Sequence, residues 1–417
     1  MSDDKSKIIQ EELSASGSFS GVEAESEGVD LQEPFDPKKI SIDGKLVTMD
    51  ALLRRIVQGT IRLAPAFQRK EVWDLERKSR LIESMMLNIP LPMFYVAADE
   101  KGNWDVVDGL QRLTTIKEFI LGTEYIQTRE AESKGKGFRL KNLEFWGEKY
   151  DGSIFNALPE EMINRILETE FRFTIINPGT PEEVKRNIFK RINTGGMPLT
   201  SQEIRHALYQ GKSTILLEKL ASEGYFLEAT YHSVDDSRMA ARELILRFLA
   251  FSIQDYVEYP RASDMDAFLS NNMRIINVMP ELSNADLHKI FKKSDIPKIR
   301  YNDIEILKAR FERAMTRSTV LFGVHAFRKS YGNYRRTPIN KTLFEVWGNT
   351  LADLSIEEFQ ILKGNKEKFL ADYSTMLNNE DFAAVISRDS WKYSGVQSRY
   401  KLIKELVDKF TGSITNR

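Results

Sequence analysis

A change of rhythm near the middle constrains this chain more than any other feature. Between Ile40 and Ile176 short apolar runs alternate with amphipathic segments, the pattern of strands and helices in one mixed unit. Beyond Ser237 the sequence reads almost only as helix, at 237–257, 264–270, 283–294, 302–330, 341–353, 355–375 and 397–411. The expected architecture is α+β: a mixed α/β domain over residues 38–225 and an α-helical domain over 226–417. No fixed-period repeat stands out.

Inside the first part, Asp43-Gly44 lies amid an apolar alternation and signals a hairpin. Thr48 can cap a helix that carries Leu52, Leu53 and Ile56 and stops at Gly59. Pro65 forbids helix in the extended segment that begins at Ile61. Leu81, Ile82, Met85 and Met86 share one face of a helix over Glu76–Leu87, and Pro90 and Pro92 stop it. Met93–Ala97 and Trp104–Val107 read as strands, and Asp108-Gly109 opens a helix from Leu110 to Leu121. Further on come a helix at 159–168, a strand from Phe171 to Ile176, a helix from Glu182 to Arg191 broken by Gly195-Gly196, and another from Ser201 to Tyr209.

Charge is split along the chain. Lys+Arg number 60 and Asp+Glu 61 in 417 residues, a formal −1. Residues 1–34 hold nine acids against Lys5 and Lys7, net −7, which leaves +6 on the rest. With few large apolar residues, residues 1–37 are expected to form a disordered acidic tail. No stretch is long and apolar enough for a membrane span, and MSDDKSK lacks the apolar core of a secretory signal, so a cytoplasmic protein is expected. Cysteine is absent, which rules out disulfides and cysteine-ligated metals. The four histidines, His206, His232, His288 and His325, show no H-x3-H spacing.

Four segments carry chemistry, each beside a plainer reading. Pro65-Ala-Phe-Gln68-Arg69 presents an amide and a guanidinium suited to phosphate or carboxylate, or simply a surface turn. Asp108-Gly109-Leu110-Gln111-Arg112 joins a strand to a helix, where backbone N–H groups can hold an anion; Asp108 could equally be an ordinary N-cap. Phe189 to Arg205 contains basic residues, a diglycine loop and a Glu203–Arg205 pair, which suits an anion nest or a well-capped helix–loop–helix. Phe327 to Lys341 has five bases, two tyrosines and no acid; Arg328, Lys329, Arg335, Arg336 and Lys341 suit a nucleic-acid backbone, or a solvated loop. Gln210-Gly-Lys-Ser-Thr214 is no Walker A loop, because His206 stands where its first glycine belongs.

Taken in order, these blocks resemble the ParB/sulfiredoxin-like domain of the GmrS part of GmrSD-type, modification-dependent restriction systems. The resemblance rests on Pro65-Ala-Phe-Gln-Arg69 with Trp73, Lys78-Ser-Arg-Leu-Ile-Glu-Ser84, Ile89-Pro90 with Pro92, Asp108-Gly-Leu-Gln-Arg112, and Phe189-Lys-Arg-Ile-Asn-Thr-Gly-Gly196 followed by Leu199 and Glu203-Ile-Arg205. It covers about residues 45–210. It implies a ParB-like fold that binds a nucleoside triphosphate (GTP, ATP or CTP) with Mg²⁺ in defence against phage DNA. Carried onto this chain, Gln68, Arg69, Gly109, Arg191 and Asn193 would bind the cofactor. Asp108, Gln111 and Arg112 would be catalytic, with Asp108 at the metal.

Two departures qualify that picture. Leu110 stands where the commoner motif has Gln, so binding is expected more firmly than hydrolysis. Many relatives also carry an HNH-type nuclease, which needs clustered His and Asn or Asp. After residue 210 this chain has only the scattered His232, His288 and His325, so no nuclease domain is expected here, and cutting would need a separate subunit. The expected function is a nucleotide-binding subunit of a DNA-targeting anti-phage or modification-dependent restriction system, with NTP hydrolysis as a further expectation. The alternative is a non-enzymatic DNA-binding or adaptor protein that keeps the turn as structure.

Overall fold

The computed structural model describes residues 9–25, 40–63, 73–122, 124, 134–192, 199–261, 265–291, 296–388 and 390–412. The chain is α+β and forms two units: Gln32–Leu199, and a second made of Met1–Leu31 together with Thr200–Arg417.

The first unit is built on a five-stranded mixed sheet. Its strands are β3 (Ile42–Thr48), β4 (Ile61–Arg62), β5 (Phe94–Ala98), β6 (Trp104–Asp108) and β7 (Glu170–Ile176), in the order β3-β7-β5-β6-β4; β1 and β2 belong to the other unit. β3 runs antiparallel to β7 and β5 antiparallel to β6, whereas the β5–β7 and β4–β6 pairs are parallel. The expected hairpin at Asp43-Gly44 is not formed. Gly44 sits inside β3 opposite Thr174, because β7 offers an antiparallel partner along all seven residues and the ladder overrides the local turn signal.

Helices α1 (Met49–Val57), α2 (Leu75–Met86) and α3 (Leu110–Leu121) cover this sheet, followed by a single turn, α4 (Gly147–Tyr150), then α5 (Glu160–Leu167) and α6 (Glu182–Ile192). Thr48 caps α1 by accepting from the Ala51 amide, and Asp74 caps α2 through the Arg77 amide at 2.7 Å. The core joins Phe94, Trp104, Phe171 and Phe173 of the sheet to Leu52, Ile82, Met85, Leu113, Ile116, Phe119 and Ile166 of the helices. Phe94 stacks on Phe173 at 5.1 Å and meets Phe171 edge-on at 5.8 Å.

The second unit begins with a hairpin, β1 (Glu11–Leu13) and β2 (Phe19–Glu23). This corrects the expected disordered tail for residues 9–25; residues 1–8 and 26–37 lie outside the described residues. Composition misleads here because the acids meet bases of the helical unit. Glu12 pairs with Lys341 at 2.6 Å, Glu23 pairs with Lys329, and Glu25 pairs with Arg247.

Helices then follow: α7 (Ser201–Leu208), α8 (Lys212–Ala221), α9 (Gly224–Ala229), α10 (Ala240–Ile253), α11 (Met265–Val278), α12 (Asn284–Ile290), α13 (Ile304–Phe322), α14 (Lys341–Asp353), α15 (Ile356–Gly364), α16 (Lys366–Leu377), α17 (Glu380–Val385) and α18 (Tyr393–Thr411). Every residue of α10 except Arg242 is buried, so it is the axis about which α8, α11, α13 and α14 pack. Leu216, Leu217 and Leu220 of α8 belong to this core, which is why the helical unit starts at Thr200 and not near residue 226. Among the described residues no helix is long and apolar enough to cross a membrane.

Candidate functional site

The strand-to-helix turn at Asp108–Arg112 is sharply defined. β6 ends at Asp108, Gly109 takes φ 97° as the N-cap of α3, and Leu110 begins the helix. Glycine is required there twice over. The conformation is left-handed, and a Cβ would stand 2.3 Å from Cδ1 of Phe94. Gly109 brings no capping side chain and the first turn of α3 holds no acid, so no side chain of the helix itself answers the positive end of its dipole.

Arg112 is held from four directions. Its Nη2 donates to Asp108 Oδ2 at 2.8 Å and to the Met93 carbonyl at 3.3 Å, and its Nη1 donates to the Pro92 carbonyl. Its guanidinium lies 4.4 Å from the centroid of the Phe94 ring. Burial pulls its pKa below the ordinary arginine value, against the pull of Asp108. The Asp108 side chain is 38% exposed and the Arg112 side chain 11%, so the carboxylate is the partner open to solvent. Gln111 accepts from the Trp73 amide at 3.5 Å, which links the turn to the chain entering α2.

The structure thus brings Asp108, Gly109, Gln111 and Arg112 together. Arg191 stands exposed in the last turn of α6. Gln68, Arg69 and Asn193 lie outside the described residues. Among the described residues there is no group of three His, Asp or Glu side chains able to hold a metal ion. The lone Asp108 fits the kind of Mg²⁺ site that uses one or two carboxylates and takes its remaining ligands from phosphate and water.

The basic segment expected to meet nucleic acid needs correction. Arg328 is buried and donates to the carbonyls of Thr230 and Thr337 and to Ser233 Oγ. Burial, with Arg336 nearby, pushes its pKa down to about 10. Lys329 pairs with Glu23, and Lys341 is buried between Glu12 at 2.6 Å and Glu243 at 2.8 Å. Burial opposes the charge of Lys341, but Glu243, Glu12 and Glu25 together hold its pKa above the ordinary lysine value. These three bases look free in sequence because their partners lie far away in it. Arg335 and Arg336 are exposed; Arg336 stacks 4.3 Å from the centroid of the Tyr231 ring, and Tyr334 beside them is 68% exposed.

Sequence reasoning missed Glu83. Its buried carboxylate accepts the amides of Glu144, Phe145 and Trp146 at 2.8, 2.8 and 3.0 Å and fixes the loop before α4. The available signal was a carboxylate within the apolar turn Leu81–Met86 of α2.

Residues 51–210 match the family described as GmrSD restriction endonuclease, N-terminal domain. No curated protein and no solved structure matches the chain.

Proposed function

We propose that this chain, whose residues 51–210 form a GmrSD N-terminal domain, is the nucleotide-binding subunit of a DNA-targeting, modification-dependent restriction system that acts against phage. The carrying observation is the β6–α3 turn: a glycine N-cap in left-handed conformation, an uncapped helix start, and Asp108 and Arg112 beside it. First-turn amides of α3 would receive phosphate oxygens, for which a helix N-terminus is suited in charge and geometry. Gln111 would orient a water or a phosphate oxygen. Asp108, paired with Arg112 in the free protein, would accept from that water or hold Mg²⁺, which supplies neutralisation of phosphate charge. A separate subunit would supply the nuclease.

Calorimetry with ATP, GTP and CTP in Mg²⁺ tests this on the wild type and on Asp108→Asn. Binding of one nucleotide by the wild type, weakened in the variant, is the expected result. No heat with any nucleotide defeats the reading.

A second reading has its own observation. The donors of Arg112 serve Asp108, Pro92 and Met93, an arrangement that by itself makes the turn a structural clamp. The chain would then be a DNA-binding or adaptor protein, and the same calorimetry separates the two.

A further inference from the structure

A groove of about 510 Å³ opens on the α/β unit beside β3 and α1. Its lining includes Lys45, Arg54, Arg55, Gln58 and Trp104, and contains no carboxylate. Among the described residues neither Lys45 nor Arg54 has an ion-pair partner. Arg55 donates through Nη2 to the Gly102 carbonyl at 3.0 Å and lies 3.9 Å from the centroid of the Trp104 ring, while its buried Nη1 has no hydrogen-bond partner. Two arginines in the last turn of α1 complement the helix dipole. That does not account for Lys45, which reaches the same groove from a strand.

Three cations on one groove, with no carboxylate in its lining, suit an anion with several oxygens. The guanidinium fork fits phosphate. The Trp104 ring is already covered by Arg55 and is only 5% exposed, so it offers no platform for a base. Recognition here is therefore of backbone and not of sequence. We propose that this groove seats the phosphate backbone of a nucleic acid, with Lys45, Arg54 and Arg55 as its cations. The choice of nucleic acid among phosphate ligands rests on the restriction-system reading. The groove itself contains no residue of the Asp108–Arg112 turn, which lies at the other end of β6, about 13 Å from Trp104 at ~3.3 Å per residue.

Fluorescence anisotropy of short labelled DNA duplexes of two unrelated sequences, titrated with the full chain over a range of salt, tests the proposal. The variants are Lys45→Gln/Arg54→Gln and Lys45→Glu/Arg54→Glu, both at exposed positions, with Arg335→Glu/Arg336→Glu as the comparison and circular dichroism as the check on folding. The Gln pair should weaken binding about tenfold equally for both sequences and reduce the slope of log affinity against log salt by about 2. The Glu pair should weaken it further. Unchanged affinity and slope in a folded Gln pair overturn the proposal, and so does a wild type that binds no duplex. Pyrophosphate binding that the Gln pair abolishes, without any duplex binding, assigns the groove to free phosphate and overturns the backbone assignment. Calorimetry with nucleotide on the same preparations keeps the turn and the groove separately measurable.

Discussion

The carboxylate of Glu12, in the first strand of the chain, lies 2.6 Å from the ammonium of Lys341, the first residue of α14. Lys341 also touches Glu243 of α10, so one buried cation ties the hairpin to two core helices. Glu12→Gln leaves Lys341 with Glu243 in direct contact and Glu25 nearby, and should cost about 2 kcal/mol, less than the roughly 3–5 of a fully orphaned buried ion. Urea midpoints measure it. A double-mutant cycle with Lys341→Met should show strong coupling, and additive effects would mean that the pair contributes nothing.

Gly109→Ala should destabilise the α/β unit by about 2–4 kcal/mol, combining a left-handed conformation with overpacking against Phe94. Adding Phe94→Leu should recover the packing part and leave the conformational part. A melting temperature for Gly109→Ala equal to the wild type would show that the turn is not confined as described.

Acid should weaken the helical unit through His206. Burial first, and then the nearby Arg242, push this imidazole down from 6.5 to about 4. The folded state thus keeps His206 neutral while the unfolded chain takes up its proton below pH 6.5. Stability is lost as the pH falls from 6.5 towards 4, by about 2 kcal/mol between pH 7 and pH 5. His206→Gln should flatten that part of the denaturation profile. An identical pH dependence in the variant would assign it to other groups.

Glu83→Gln replaces an acceptor of three amide bonds by a group with a single oxygen. A loss of about 2 kcal/mol is expected, since bonds to a charged acceptor contribute more than neutral ones and a displaced donor stays buried. Faster proteolysis within 140–152 should accompany it. Cleavage at the wild-type rate would argue against the anchor.

Local rules made much of this fold readable. Thr48 as a cap, the apolar face of α2, the strand pair around Asp99-Gly102 and the span Leu110–Leu121 follow from neighbours within a few residues. The turn at Gly109 was readable for the same reason, because strand end, glycine and helix start are adjacent. What failed depended on distant partners. The Asp43-Gly44 signal yielded to β7, more than a hundred residues away. Glu12 and Glu23 looked like solvated tail charges, and Lys341 and Lys329 like part of a solvated patch, because each pair conceals the other's partners; Glu25 is answered by Arg247 and Arg328 by the Thr230 carbonyl, both far away in sequence. The clamp on Arg112 was invisible because two of its acceptors are main-chain carbonyls twenty residues upstream.

The helical unit is assembled from two stretches of chain with the whole α/β unit between them. Synthesis runs in one direction, and Lys341 follows Glu12 by 329 residues. At ~5–20 residues per second the hairpin waits roughly 16–66 s on the ribosome for its cation. The unit that starts first is therefore finished last. For most of its translation the nascent protein holds out a bare strand edge, open to any other pairing partner, and over the later part of that wait the α/β unit behind it is already complete.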